Sequence, residues 1–306
     1  MGSVRRSTVA SYQSAWKRWV DWCSKRNLDT LSPSLAIVLD YLFYLFNIGF
    51  ATASLNTHRS MLSMTVDPIE GHNVGEHPLV VQLLKGCYNL NPPKPRYDSF
   101  WDPDVVLNYF ISSGPDGSLS LVSLSNKLAM LLALATLSRV SELCSISYSS
   151  ISISDTGAKF SFSRLRKAQS SGPLKSCVLP RLNGLCCPVG CLESYISATR
   201  EFRLPEASTL FLSLKRPHRP IRSSTLGHWL KSCLSDAGLS PDSFSAHSTR
   251  GAAASKAVFR GVPVELVLQS AHWSRESTFQ RFYHRELSSI SVSQAILSQP
   301  SSHSLL

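Results

Sequence analysis

The sequence predicts a mainly α-helical protein in two domains, with one small antiparallel β-sheet in the second. Three observations carry that reading. Through the first ninety residues, apolar side chains recur at the three-and-four spacing of helices. Pro92, Pro93 and Pro95 then fall almost together. Between Ile151 and Leu179 the pattern changes to short apolar runs broken by turn residues.

Val9, Tyr12, Ala15, Trp16, Trp19, Val20 and Cys23 share helical spacing, so the first helix is placed at Ser7–Arg26. Ser32 is the expected N-cap of a second, Pro33–Phe46, with Pro33 at its first position and Gly49 ending it. Thr52–Met64 and Pro78–Leu90 supply two more. The run Asn91-Pro92-Pro93-Lys94-Pro95-Arg96 forbids helix and favours a stiff extended connector. The domain boundary is therefore set there, giving 1–92 and 93–306.

Beyond it, Pro103–Ser112 reads as a helix, and Leu121–Leu137 as a buried central one because it is almost wholly apolar. Ile151, Ile153, Phe160, Phe162, Leu165 and Cys177-Val178-Leu179 make three short strands. They are separated by Asp155-Thr156-Gly157 and Ser171-Gly172-Pro173. Helices return at Val189–Thr199, Ser224–Ala237, Ser248–Arg260, Pro263–Ala271, Ser274–Tyr283 and near Leu287–Leu297.

No apolar run reaches the ~18 residues of a membrane span, and Val4-Arg5-Arg6 leads into a polar helix, not a secretory core. No membrane partner is expected. The eight cysteines are scattered and read as reduced thiols. Cys186, Cys187 and Cys191 lack the spacing of a zinc site and read as a turn. The formal net charge is +11. Residues 1–90 contribute +2 and the remainder +9, so the pull toward a polyanion lies mostly in the second domain.

Four features of that domain belong together. The buried helix runs into Ser138-Arg139-Val140-Ser141-Glu142, where a glutamate three residues on can orient an arginine. Lys167 ends a strand before the Gln169-to-Pro173 loop. His247 and Arg250 share a face at the start of a helix of small residues, Gly251 to Ser255, whose unpaired amides favour an anion. Finally, His272-Trp273 precedes a helix capped by Ser274, with Tyr283 near its end. The first two alone have plain readings: a local ion pair and a solvated hairpin lysine.

In this order, Arg139 with Glu142, Lys167, His247-x-x-Arg250, His272-Trp273 and Tyr283 resemble the active-site set of the tyrosine recombinases, the phage-integrase family. The Arg139-to-Lys167 spacing is Cre-like. The ending Trp-x-x-x-x-Thr-Phe-x-x-Phe-Tyr-x-Arg resembles the recombinases of DIRS-type retrotransposons and Crypton elements. Trp273 to Tyr283 is one residue longer than the family's common spacing; Phe282 stands at the common one, and Tyr283 is taken from the Phe-Tyr-x-Arg pattern.

The resemblance implies a helical, SAM-like core-binding domain followed by an α+β catalytic domain with a C-terminal tail. It implies cutting and rejoining of duplex DNA through a 3′-phosphotyrosine bond, with Tyr283 as nucleophile and no metal or other cofactor. Arg139 and Arg250 would clamp the phosphate, His247 relay the proton, Lys167 protonate the leaving oxygen, Trp273 and His272 hold the site, and Glu142 orient it. DNA contacts are expected at Arg5, Arg6, Lys17, Arg18, Lys25, Arg26, Asn56, Thr57 and Arg59, then at Lys94, Arg96, Arg164, Arg166, Lys215, Arg216, Arg219 and Arg222. A homo-oligomer is implied, up to a tetrameric synapse, with the tail after Arg285 docking on a neighbour. The workplace is the nucleus in a eukaryotic source, otherwise the cytoplasm. A non-catalytic DNA-binding derivative and a type IB topoisomerase-like enzyme remain open at this point.

Overall fold

The structure, a computed structural model, describes residues 6–93, 100–165, 169, 172–204, 208–271 and 273. The chain divides into two units, Met1–Arg96 and Tyr97–Leu306, where the prolines suggested a break after residue 92.

The first unit is built from four helices: α1 (Arg6–Ser24), α2 (Leu35–Asn47), α3 (Thr52–Thr65) and α4 (Pro78–Leu90). Its core gathers Trp19, Tyr41, Leu42, Leu45, Leu55 and Met61, each fully buried. The Trp19 ring lies 5.8 Å from Trp22 and meets Tyr41 edge-on at 4.8 Å, geometries that suit the ring quadrupoles. Trp19 Nε1 donates to Thr30 O at 2.9 Å, so the burial strands no donor. The cap of α2 differs from the expectation. Ser34, not Ser32, accepts from Ile37 N, and the helix opens at Leu35. Ser32 instead donates to Asp67 Oδ2 at 2.7 Å. Gly49 follows the end of α2 at φ +92, a conformation that a side chain would strain.

In the second unit, α5 (Pro103–Ser112) is capped by Asp102, whose carboxylate accepts from Asp104 N, with Pro103 opening the helix. α6 (Leu121–Thr136) is the centre, with Leu128, Ala129, Met130 and Leu132 fully buried. It also buries Lys127 completely, which its apolar neighbours did not announce. Nζ of Lys127 lies 2.7 Å from Asp116 Oδ1, facing it without the alignment of a hydrogen bond. The short α7 (Val140–Leu143) follows, then a three-stranded antiparallel sheet: β1 (Ser152–Ser154), β2 (Gly157–Ser161) and β3 (Ser176–Pro180), in that spatial order. Ser152 pairs with Lys159, and Phe160 with Cys177. At Gly157 a Cβ would stand 2.2 Å from Leu179 O, so only glycine lets the strands pair there. Phe162, just past β2, bridges to Ile146, and its N–H donates to Lys175 O at 3.2 Å. Leu165, expected on the strand, lies beyond it and is exposed.

The remaining helices are α8 (Pro188–Thr199), α9 (Ser223–Asp236), α10 (Ser248–Phe259) and α11 (Val264–Ala271). α6 packs against α8, α9 and α10. Of the clustered cysteines, Cys186 lies in the turn, Cys187 caps α8 with its Sγ accepting from Leu182 N and Gly190 N, and Cys191 is buried inside the helix. Among the described residues no helix is long and apolar enough to cross a membrane. The helices expected at Ser274–Tyr283 and Leu287–Leu297 lie outside the described residues.

Candidate active site

The site begins where α6 stops. Leu137 turns into the left-handed region, φ 50 and ψ 25, and ends the helix. This frees its carbonyl from the helical ladder and turns the chain toward Arg139. Arg139 starts α7 with no side-chain cap of its own. The buried Glu142 supplies one from within the turn: its Oε2 accepts from Arg139 N at 2.9 Å, and its Oε1 from Arg139 Nη1 at 2.8 Å. One carboxylate therefore sets both the backbone and the side chain of Arg139, which keeps partial exposure, 23% against 5% for Glu142.

α10 brings the second arginine. Gly251 and Ala252 to Ala254 are all buried, so small side chains let the helix sink into the domain. Arg250, in its first turn, goes in with them and is only 3% exposed. Its Nε donates to Leu137 O at 2.6 Å, and Nη2 donates to Ala271 O. Its guanidinium carbon lies 4.5 Å from the centre of the Trp273 ring. Two carbonyls at the ends of two other helices and one aromatic face thus fix the plane of a fully desolvated cation. The carbonyl that accepts from Arg250 belongs to the residue two before Arg139.

Trp273 is itself held by its backbone N–H, which donates to Leu268 O at 2.9 Å. It packs with Leu137, Ala253, Ala254, Val267 and Ala271 in a small cluster of its own. His247 stands exposed immediately before α10. Its turn is tied by Ser248, whose Oγ donates to Ser245 O at 2.7 Å. Arg139, Glu142, His247, Arg250 and Trp273 therefore come from the starts of two helices, α7 and α10, and from the second residue past the end of α11. Lys167, His272 and Tyr283 lie outside the described residues.

The expected DNA contacts fall into distinct groups. Lys17, Lys25, Arg164, Lys215, Arg216, Arg219 and Arg222 are exposed. The hairpin carrying three of them is braced: Ser213 N donates to Arg219 O at 2.8 Å, and His218 stacks on Phe202 at 4.9 Å. Others have structural partners in the first unit. Arg18 lies over Phe50, Arg26 over Trp22 at 4.3 Å, and Arg59 Nε donates to Gly75 O at 2.7 Å. Asn56 and Thr57 bond back to Thr52 O and Ala53 O within their own helix. Arg6 opens α1, while Arg5, Lys94, Arg96 and Arg166 lie outside the described residues. Among the described residues no three His, Cys, Asp or Glu side chains gather as metal ligands.

Sequence reasoning missed Trp101 and Ser248. Both are buried and joined by an indole N–H that donates to Ser248 Oγ at 3.0 Å. No local spacing could show a pairing across so much chain.

With this geometry in place, the sequence profile of the phage integrase family matches residues 116–288, more than half of the chain. The chain belongs to the phage integrase family. It is a tyrosine recombinase, an enzyme that cuts and rejoins DNA strands. Its fold is similar to that of a lambda integrase dimer bound to a COC′ core site (TM-score 0.58, 18% identity, covering 95% of this chain and 94% of that one). The Tn1549 transposon integrase in complex with transposon right-end DNA is similar at TM-score 0.61 and 14% identity, over 97% and 94%. The XerH recombinase bound to difH substrate, a pre-cleavage complex, is similar at 0.59 and 12%, over 91% and 76%. No curated protein sequence matches it significantly.

Proposed function

We propose that this recombinase acts through Tyr283 as nucleophile, with Arg139, Arg250, Lys167, His247 and Trp273 around one scissile phosphate. The observation that most supports this is the anchorage of Arg250. A desolvated guanidinium held by Leu137 O and Ala271 O over Trp273 is preorganised. Arg139 supplies a second guanidinium from the turn that follows Leu137, aimed by Glu142.

In the reaction, Tyr283 Oη bonds to phosphorus as the bond to the 5′-oxygen breaks. The phenol proton passes to His247, an imidazole being the side chain that exchanges protons most readily near neutrality. Lys167 gives its proton to the leaving 5′-oxygen. The two arginines neutralise charge growing on the non-bridging oxygens. A phosphotyrosine bond is close in energy to the phosphodiester it replaces, so a second strand's 5′-hydroxyl reverses the steps without ATP. The donor set needs no metal. Glu142 and His272 orient the site.

Duplex DNA is the substrate and a homo-oligomer the working form, up to a tetrameric synapse. The dimeric lambda integrase complex supports this as a similar fold. The exposed Lys17, Lys25, Arg164, Lys215, Arg216, Arg219 and Arg222 are assigned to phosphates. The tail after Arg285, with Ile290, Val292 and Ala295-Ile296-Leu297, docks on a neighbouring protomer. The Thr278-Phe279 and Phe282-Tyr283-x-Arg285 pattern resembles the recombinases of DIRS-type and Crypton elements, and in a eukaryotic host the workplace is the nucleus.

The test is adduct trapping on nicked duplexes, built on the sequence that the wild type selects from a random duplex library. Wild type is expected to form a covalent protein–DNA species, and Tyr283→Phe to bind without forming it. An undiminished adduct with Tyr283→Phe would overturn the assignment.

A further inference from the structure

We infer that Trp101 is a positioning residue for the cleavage step, acting through Ser248 on the turn that carries His247. The inference rests on the recombinase reading above and adds a residue that the family pattern does not name.

Trp101 is 2% exposed and Ser248 1%. The Ser248 hydroxyl has both roles filled. It donates to Ser245 O at 2.7 Å and accepts from Trp101 Nε1 at 3.0 Å. A hydroxyl that bonds only its own turn rotates between acceptors. One pinned from outside cannot, so the 245–248 turn is fixed relative to a rigid indole.

The same segment grips the other end of the helix. Asp102 Oδ1 and Asp104 Oδ2 lie 2.9 and 2.7 Å from Lys256 Nζ, and Arg260 adds a longer contact to Asp104 at 3.4 Å. Ser248 and Lys256 are about 12 Å apart along the axis at 1.5 Å per residue. Two attachments so far apart set the helix's depth and its rotation together. Arg250 lies between them and needs both set to keep its reach to Leu137 O and Ala271 O. Trp101, Asp102 and Asp104 thus hold the helix that carries Arg250 and that follows directly on His247.

The experiment is single-turnover cleavage of the selected nicked duplex at saturating DNA, comparing wild type, Trp101→Phe, Ser248→Ala and the double variant. Phenylalanine keeps most of the buried ring and deletes the donor. The burst amplitude reports the folded, DNA-bound fraction; the rate constant reports alignment. Trp101→Phe is expected to keep the amplitude and the DNA affinity while its rate falls about tenfold, since small displacements of catalytic groups cost this much or more. The double variant is expected to be no slower than Ser248→Ala alone. Wild-type rate in Trp101→Phe overturns the inference. So does a lower amplitude at unchanged rate, which marks a merely structural indole. No adduct from wild type would instead overturn the recombinase assignment, and the inference with it.

Discussion

Inside the first unit, a polar pair taken out of water is neutral; inside the second, several such groups carry charge. Tyr41 Oη and His58 Nδ1 lie 2.8 Å apart in the helical core. Burial, helped by the nearby Arg18 charge, holds His58 down at about 4. In the second unit Lys127, Glu142 and Arg250 are all buried, and each is met by opposite charge or by carbonyls. The contrast shows how each unit tolerates polarity in a core. A neutral pair needs one good contact, whereas a buried charge needs its partner permanently. Buried thiols follow the neutral pattern, with burial pushing Cys23 up to about 11 despite the charge of Arg26.

The strongest way to break the comparison is to remove one charge. Asp116→Ala is expected to destabilise the second unit by about 3–5 kcal/mol, leaving the Lys127 ammonium buried alone. Adding Lys127→Met should recover most of that, because the side chain then packs as an apolar one against Phe110. Urea denaturation of the three proteins measures it. A loss below about 1 kcal/mol for Asp116→Ala would mean that the lysine reaches water.

Acid sharpens the other side. His58 favours its neutral form when folded, so its contribution is complete above the unfolded value near 6.5 and is lost as pH falls toward 4. The loss is expected to reach at most about 3–4 kcal/mol, because each pH unit between the folded and unfolded midpoints is worth about 1.4 kcal/mol. An NMR titration of the His58 ring should show a midpoint near 4; one near 6.5 would remove the effect. The smallest expected change belongs to the ion pairs at the edge of α10. Lys256→Met should cost under about 1 kcal/mol, less at high salt, since Asp102 and Asp104 are both well exposed. A larger, salt-independent loss in thermal melting would place these pairs with the buried ones.

Much of this molecule is legible in one dimension. Pro78–Leu90 and Pro103–Ser112 are bounded as the sequence predicts, because proline at the first helical position and a capping side chain are local signals. The three-stranded sheet follows from alternation and turn residues in the same way. The α2 cap was misplaced by two residues because Ser32 and Ser34 flank the same proline, and only Asp67, far along the chain, draws Ser32 away. In the site, Arg139 with Glu142 and His247 with Arg250 could be seen as pairs at helical spacing. The grip of Leu137 O and Ala271 O on Arg250 could not, since it depends on a left-handed turn and on where α11 ends.

Helical periodicity, the proline break, the excess of positive charge and the order of a few polar residues were determined by the sequence itself, because each depends on neighbours within a few positions. The burial of Lys127, the plane of Arg250 and the bond from Trp101 to Ser248 were decided only in the folded chain. They arise where segments distant in sequence exclude water together, and no local spacing encodes which distant groups will meet.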